Sequence, residues 1–241
     1  MEEYHMTDIH MHIIPGVDDG SFTIDMSKSM ITMAYMQGVR TIFATPHSGA
    51  FISRKELIQE NYQKMKEQTK KFPFGVDLFL GSEVRCETGN IHETLRYLKT
   101  GTFPSMNRTK YVLTEFRNRI CPREALKIIS LLRRDGWFPI IAHVEYYPAL
   151  FLSEVIEEIL NYGCLLQINA YSLEEEAEEA AFERTRKLLL EQKVSFLGSD
   201  AHRMNHRPPS VKKGLEYVYK HCTKEYADAV AFGNAEKYLI N

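Results

Sequence analysis

The chain has 241 residues, a hydrophobic content of 44% and a formal net charge of -2 at pH 7. A chain of this length buries enough surface to fold without disulfides, and this charge gives no electrostatic reason to expect a nucleic-acid partner. The four cysteines form no CxxC pair, and no apolar run approaches the ~18 residues that span a bilayer. Because the N-terminus also lacks a signal-peptide pattern, we expect a cytoplasmic protein without direct membrane insertion.

Short apolar runs that predict strands alternate with longer patterns that predict helices. The predicted strands are 7–12, 40–45, 76–82, 110–115, 138–143, 164–169 and 194–199. The predicted helices are 24–37, 54–71, 122–135, 153–161, 173–192, 210–221 and 224–232. The strands are continuously apolar, as expected of parallel strands covered on both faces. No linker or repeat divides the chain, so we predict one α/β domain over 1–241, either a barrel or a doubly wound sheet.

Acidic or imidazole side chains follow six of the seven predicted strands, at the point where each strand ends. They are His10 and His12, His47, Glu83, Glu115, His143, and Asp200 with His202. The loop after the first strand adds Asp18 and Asp19, whereas the sixth strand, ending at Asn169, offers no strong ligand. The carboxyl ends of parallel strands form one edge, where active sites are built. The sequence therefore predicts a single polar site at that edge.

The first strand carries two histidines separated by one residue. Side chains at positions i and i+2 of a strand point to the same face, so His10 and His12 project together. Two imidazoles with carboxylates nearby suit Mn, Fe or Zn better than Ca or Mg. We therefore interpret the site as a metal centre.

Six motifs in order resemble the polymerase-and-histidinol-phosphatase (PHP) superfamily. They are DIHMHIIPGVDDG, ATPH, GSE, TEF, AHVE and GSDAH, spread from residue 7 to about residue 209 together with a late RPP. The form IIPGVDDG resembles the manganese-dependent protein-tyrosine phosphatases of bacterial capsular-polysaccharide loci. The resemblance implies a distorted (β/α)7 TIM-like barrel with three divalent ions, manganese first, with iron or zinc as alternatives.

The resemblance also implies how the ligands are divided among the ions. The first ion would take His10, His12, Glu83 and Asp200. The second would take Glu115 and His143, with Glu83 bridging. The third would take Asp19, His47 and His202, which leaves Asp18 as a supporting or turn residue.

One position departs from the family pattern. Tyr146 stands where the family commonly has an arginine after AHxE, and that arginine is thought to help hold the substrate phosphate. Arg207, in HRPP, matches another basic position of the family, whereas Arg117 and Arg119 follow the ligand of the fourth strand. We hypothesise that one of these three replaces the missing guanidinium.

The implied reaction is hydrolysis of phosphotyrosine by a metal-bridging hydroxide. Neither Cys86 nor Cys121 is followed six residues later by an arginine, so the loop of the cysteine-based phosphatases is absent. The implied partner is the phosphotyrosine tail of a bacterial tyrosine autokinase, or polysaccharide co-polymerase, that controls capsular or exopolysaccharide synthesis. The oligomeric state stays open, including a homo-oligomer.

Three other interpretations remain open from the sequence. A small-molecule phosphatase such as a histidinol-phosphate phosphatase would share the metal centre. An amidohydrolase would also share the paired histidines. It would need a metal-bridging lysine on a middle strand, but the fourth strand ends in Glu115 instead. A metal-binding regulatory module with impaired turnover is favoured only by Tyr146.

Overall fold

The computed structural model describes residues 5–73, 75–152 and 154–240, which form eight strands and nine α-helices. The strands are β1 Met6–Met11, β2 Val39–Ala44, β3 Asp77–Leu80, β4 Glu83–Arg85, β5 Tyr111–Glu115, β6 Phe138–Ile141, β7 Leu165–Asn169 and β8 Phe196–Gly198. The helices are α1 Ile24–Met36, α2 Ala50–Ser53, α3 Lys55–Thr69, α4 Ile91–Lys99, α5 Pro122–Arg134, α6 Val155–Asn161, α7 Glu179–Leu190, α8 Lys212–His221 and α9 Lys224–Asp228. In this part of the chain, no helix has the length and hydropathy that a membrane crossing requires.

The strands form two parallel sheets, in the orders β1-β2-β3 and β4-β5-β6-β7-β8. Isolated parallel bridges link the sheets at two places, between Met11 and Ala201 and between His47 and Glu83. Next to the first bridge, the Asp200 N–H donates to the His10 carbonyl oxygen at 2.8 Å. The fold is therefore mixed α/β, and the carboxyl ends of strands from both sheets lie close together.

Helix α5 illustrates how local sequence sets an element and its packing. Pro122 occupies its first turn, where a missing N–H costs nothing, and Gly136 follows its end with a φ of 87°. Its buried residues recur at helical spacing and are Ala125, Ile128, Ile129 and Leu132. These side chains join the main hydrophobic core, which the helices share with buried strands such as β1.

The predicted third strand, 76–82, was wrong as a single element. The chain forms β3 and then β4, because it turns at Gly81 and Ser82 and pairs with a different neighbour. Gly81 lies so close to Met106 that an added Cβ would be 2.6 Å from the Met106 Sδ, and the Ser82 Oγ donates to the Pro104 carbonyl oxygen at 2.7 Å. The described residues thus form eight strands in two sheets, where the sequence predicted seven strands.

Helix boundaries also differ from the predictions. The helix predicted over 173–192 begins at Glu179, because the preceding residues form a short 3₁₀ turn and bends. Glu174, which lies inside the range predicted as helix, is buried and accepts a hydrogen bond from the Ser210 Oγ. The helix predicted over 224–232 is α-helical only to Asp228 and continues as a wider π-helical turn, Ala229–Gly233. Residue 153, where the helix 153–161 was predicted to begin, lies outside the described residues.

Candidate metal centre

All nine predicted ligands come together at the carboxyl ends of the strands. Seven of them form three overlapping groups, within each of which the ligand atoms lie within 4.8 Å of one another. These groups are His12, Asp19, His47 and His202; His10, His12 and Glu83; and His47, Glu83 and Glu115. His143 and Asp200 join through contacts with Glu83 and His10. Residues from six separate chain segments therefore surround one small volume.

Glu83 is the central carboxylate of this cluster. Its Oε1 lies 2.9 Å from the His143 Nε2, and its Oε2 lies 2.8 Å from the His47 Nδ1. The Nε2 atoms of His10 and His12 are each 3.4 Å from a Glu83 oxygen. Burial opposes ionisation, but the surrounding imidazoles lower the pKa of Glu83 well below its usual range. Both oxygens of one carboxylate thus face several potential cation positions, as a bridging ligand requires.

Buried acceptors orient the three imidazoles that follow β1 and β8. The Nδ1 atom of His10 lies 3.2 Å from the Gln167 Oε1, and that of His12 lies 2.8 Å from the Asp18 Oδ2. The His202 Nδ1 lies 2.8 Å from the Asp200 carbonyl oxygen. These contacts leave each Nε2 for the cluster, which is how supporting residues fix the imidazole tautomer at metal sites.

Asp18 holds two ligands through one side chain. Besides contacting His12, it accepts the N–H of Gly20 at 3.0 Å and the N–H of His47 at 3.1 Å. Burial would raise the pKa of Asp18, but His12 and the two backbone donors lower it below its usual value. Asp18 therefore supports ligands, whereas the carboxylate of Asp19 faces His47 at 3.2 Å and His202 at 3.5 Å.

Two ligands sit in a left-handed backbone conformation that is uncommon for residues other than glycine. His143 has a φ of 32° and Asp200 a φ of 49°. The His143 N–H donates to the Gln167 Oε1 at 2.8 Å, and its Nδ1 lies 3.4 Å from the Tyr147 Oη. A strained backbone conformation of this kind persists only where the surrounding contacts hold it in place, and such residues are concentrated at functional sites.

Three buried atoms of the predicted ligands have no hydrogen-bond partner among the described residues. They are the Nε2 of His202, the Oε2 of Glu115 and the Oε2 of Glu83. The other oxygen of Glu115 accepts from the Arg85 Nη1 at 3.1 Å, while burial and the Glu83 charge raise the pKa of Glu115. Unpaired buried polar atoms are costly, and cations would satisfy all three. The mixed imidazole and carboxylate donors therefore fit divalent transition-metal ions.

The three predicted arginines have different surroundings. The Arg207 Nη1 lies 3.0 Å from the Asp200 Oδ2, and its Nη2 is 3.9 Å from the Asp19 Oδ2. Arg117 instead pairs with Glu124 on α5, with the Arg117 Nη2 2.7 Å from the Glu124 Oε2. Arg119 is exposed. Arg207 alone of the three has a described contact with the predicted ligands.

Tyr146 lies at the border of the cluster. Its ring centroid is 6.0 Å from that of His143, and its hydroxyl lies 3.3 Å from the Ser172 Oγ. The side chain is 37% exposed, so it faces solvent beside the ligands.

The sequence reasoning missed several supporting residues, which share one signal. Gln167, Arg85 and Asp8 each lie two positions along a strand from Asn169, Glu83 and His10 respectively. Asp8 is fully buried and accepts the N–H of His10 at 3.2 Å and the N–H of Ser199 at 2.9 Å. Polar residues at i±2 from a strand-end residue share its face, so this spacing could have found them.

The comparisons with known proteins agree on one family. The family model described as "Capsular polysaccharide synthesis, CpsB/CapC" matches residues 6–240. The tyrosine-protein phosphatase CpsB of Streptococcus agalactiae serotype V is 32% identical over 244 residues, which cover 98% of this chain and 99% of that protein. The tyrosine-protein phosphatase YwqE of Bacillus subtilis is 29% identical over 242 residues, covering 98% of this chain and 92% of that protein.

Solved structures give the same relationship. A chain from the crystal structures of YwqE from Bacillus subtilis and CpsB from Streptococcus pneumoniae, described as unique metal-dependent tyrosine phosphatases, superposes with a TM-score of 0.84. That match has 28% sequence identity and covers 98% of this chain and 95% of the other. A phosphotriesterase homology protein from Escherichia coli matches with a TM-score of 0.59 at 12% identity, which shows likeness of fold alone.

Proposed function

The chain belongs to the CpsB/CapC family of capsular polysaccharide synthesis, and from this membership we propose that it is a metal-dependent protein-tyrosine phosphatase. The observation that carries the proposal is the convergence of nine imidazole and carboxylate ligands from distant segments on one buried volume. Relatives over almost the whole chain are named tyrosine-protein phosphatases, and a solved pair is described as metal-dependent.

We assign three divalent ions to this cluster. His10, His12, Glu83 and Asp200 would hold the first; Glu115 and His143, with Glu83 bridging, the second; and Asp19, His47 and His202 the third. Three divalent ions carry six positive charges against four ligand carboxylates, which leaves a surplus that suits a phosphate dianion. Manganese is the proposed metal because of the resemblance to manganese-dependent phosphatases, and iron and zinc fit the same imidazole and carboxylate donors.

The side chains around the cluster suit phosphate-ester hydrolysis. When bound, divalent ions polarise phosphoryl oxygens and lower the pKa of water, so that hydroxide is available to attack the phosphorus at neutral pH. Arg207 is 44% exposed beside Asp19 and Asp200, so its guanidinium can bind phosphoryl oxygens while the ester enters from solvent. A tyrosine phenolate, with a parent pKa of ~10, leaves with little need of a protonating side chain.

The proposed substrate is the phosphotyrosine tail of a bacterial tyrosine kinase that regulates capsular polysaccharide synthesis. The family description and the names of the relatives support it. We also propose that residues 1–241 form one domain, with both sheets belonging to one distorted barrel. The bridges from Met11 to Ala201 and from His47 to Glu83 support this closure.

The test is a metal analysis of the purified protein combined with substrate assays. We expect bound transition metal, and hydrolysis of a phosphotyrosine peptide that is strongest with Mn²⁺ when Mn²⁺, Fe²⁺ and Zn²⁺ are compared. Faster hydrolysis of histidinol phosphate than of the peptide would favour a small-molecule phosphatase. Bound metal without hydrolysis of p-nitrophenyl phosphate would instead indicate a regulatory module.

A further inference from the structure

An exposed aromatic ring and an arginine form a stacked pair beside the metal centre. The Arg203 guanidinium carbon lies 4.0 Å from the centroid of the Phe22 ring, and Phe22 is 55% exposed. We call these two residues the Phe22–Arg203 pair. Arginine stacks well on aromatic faces, and this distance is within the range of a cation–π contact.

The pair is fixed to the loop that carries a predicted metal ligand. The Arg203 Nε donates to the carbonyl oxygens of Asp19 at 2.8 Å and Gly20 at 3.2 Å. Gly20 in turn packs directly on His12, since an added Cβ would lie 2.3 Å from the His12 carbonyl oxygen. Arg203 also follows His202 in the chain. The pair therefore has a set position next to the ligands of the third proposed ion.

The terminal nitrogens of Arg203 are available to a binding partner. Its described side-chain hydrogen bonds involve only Nε, and no acidic side chain within the described ranges pairs with its terminal nitrogens. By contrast, Arg207 pairs with Asp200 through Nη1. An unneutralised guanidinium on an exposed ring is a surface suited to an anionic partner with some apolar area.

We propose that the Phe22–Arg203 pair docks the part of the substrate peptide next to the phosphotyrosine and selects a negatively charged side chain there. The inference rests on the proposed phosphatase function. With the phosphate at the metal centre, residues that flank the phosphotyrosine would come within reach of the loop that carries Asp19, where the pair stands. The terminal nitrogens of Arg203 would pair with a carboxylate, and the Phe22 ring would cover apolar atoms of the peptide. The charge fits, because the guanidinium of Arg203, which has no acidic partner among the described residues, would attract a carboxylate at this position.

The test measures binding without turnover. Two fluorescent peptides carry a non-hydrolysable phosphonate analogue of phosphotyrosine and differ only in glutamate or glutamine at the adjacent positions. Their dissociation constants for the metal-loaded protein are measured by anisotropy. We expect the glutamate peptide to bind about three- to fivefold more tightly, the range of a partly exposed ion pair. The preference should fall to about one in Arg203→Gln.

The ratio between the two peptides is the decisive quantity, because any loosening of the Asp19 loop affects both peptides alike. Arg54→Gln is the matched control, since Arg54 is also exposed and also donates to a carbonyl oxygen between β1 and α1. We expect it to keep the wild-type ratio. A further variant, Phe22→Ala, should weaken binding of both peptides.

The outcomes separate this inference from the proposed function. A ratio near one in the wild type, or an unchanged ratio in Arg203→Gln, would overturn the docking surface even if the enzyme hydrolyses phosphotyrosine. A charge-dependent ratio in a protein that does not hydrolyse the corresponding phosphotyrosine peptides would overturn the phosphatase assignment and leave the docking surface standing.

Discussion

The buried floor and the exposed rim of the metal centre are built in different ways. At the floor, His10 and His12 are fully buried, the Glu83 side chain is 2% exposed, and each contacts several neighbours through hydrogen bonds or close ion pairs. At the rim, the Asp19 side chain is 54% exposed and that of Arg207 is 44% exposed. The floor therefore has its geometry set by packing and supporting hydrogen bonds, whereas the rim depends on charges that face water.

This difference separates holding the ions from handling the substrate. Supporting residues such as Gln167 and Asp18 fix the imidazoles in place, so changes at the floor should act through metal binding. At the rim, Asp19 is a proposed ligand of the third ion, whereas the Arg207 guanidinium can reach a substrate, and ion pairs that are this exposed are individually weak. Changes at Arg207 should then act mainly through substrate affinity, and their effect should be smaller.

Removing the metal should have the largest effect, because the buried side chains of the floor are arranged around the proposed ions. EDTA should abolish activity, and repulsion among close carboxylates, about 4 kcal/mol for a pair 4 Å apart at an effective dielectric of 20, should lower the melting temperature.

The metal-free protein should also become sensitive to pH. Burial lowers the pKa of His143, but the Glu83 carboxylate raises it to about 9.

The direction of this pH effect follows from linkage. The ordinary pKa of histidine is 6.5, so the stabilisation from protonated His143 is fully present below pH 6.5 and is lost as the pH rises through about 9. Calorimetry of the chelated protein should therefore show a falling melting temperature across this window. The metal-loaded protein is the control and should lack this fall, because a coordinating imidazole is neutral. Identical curves with and without EDTA would contradict a filled metal site.

Glu83→Gln should lower kcat by roughly a thousandfold, or about 4 kcal/mol, because the central carboxylate contacts four imidazoles. Metal content measured on the same sample should fall with it. Glu93→Gln, on the exposed face of α4, is the control and should retain full activity. If Glu83→Gln kept the metal content and rate of the wild type, Glu83 would not be the central carboxylate of the site.

The sequence predicted which residues of the floor come together, although their role as ligands stays a prediction. The i±2 spacing marks Gln167 as a neighbour of the site, but the contacts that it makes could not be predicted. His143 and Asp200 end different strands, and strand ends of parallel sheets meet at one edge whatever the details of packing. Gln167 escaped notice because an amide carries no motif, and its contacts with His10 and His143 depend on the register of β7. The interruption at Gly81 was equally hidden, since the apolar run 76–82 continues through it and only packing against Met106 breaks the strand.

Gln167→Ala should have an intermediate effect, since it removes a support without removing a ligand. The Gln167 Oε1 contacts both the Nδ1 of His10 and the N–H of His143, so its loss should weaken metal affinity or activity by about 10- to 100-fold. Gln167→Glu keeps an acceptor at this position and should retain most of the function. Gln63→Ala, on the exposed face of α3, controls for loss of an amide elsewhere. Equal losses in all three variants would argue against a specific support.

The smallest effects should come from substitutions of Arg207, Arg117 and Arg119. The order of their effects on KM tests whether a residue at the rim binds the substrate. Arg207→Ala should raise KM for a phosphotyrosine peptide about tenfold with a smaller change in kcat, because a charge-assisted contact with the phosphoryl group is lost. Arg117→Ala and Arg119→Ala should change KM by less than about twofold, since Arg117 is already paired with Glu124 and Arg119 is exposed without a described contact to the ligands.

Metal content must be measured for Arg207→Ala, because Arg207 also contacts Asp200. A raised KM at unchanged metal content would place the residue with the substrate, whereas metal loss would place it with the floor. Arg207→Lys keeps the charge but not the forked geometry, so it should recover only part of the affinity. If all three alanine variants leave KM unchanged, no arginine of this set replaces the guanidinium that Tyr146 lacks. The phosphate would then be held by the ions and the floor alone, and the division between the two regions would disappear.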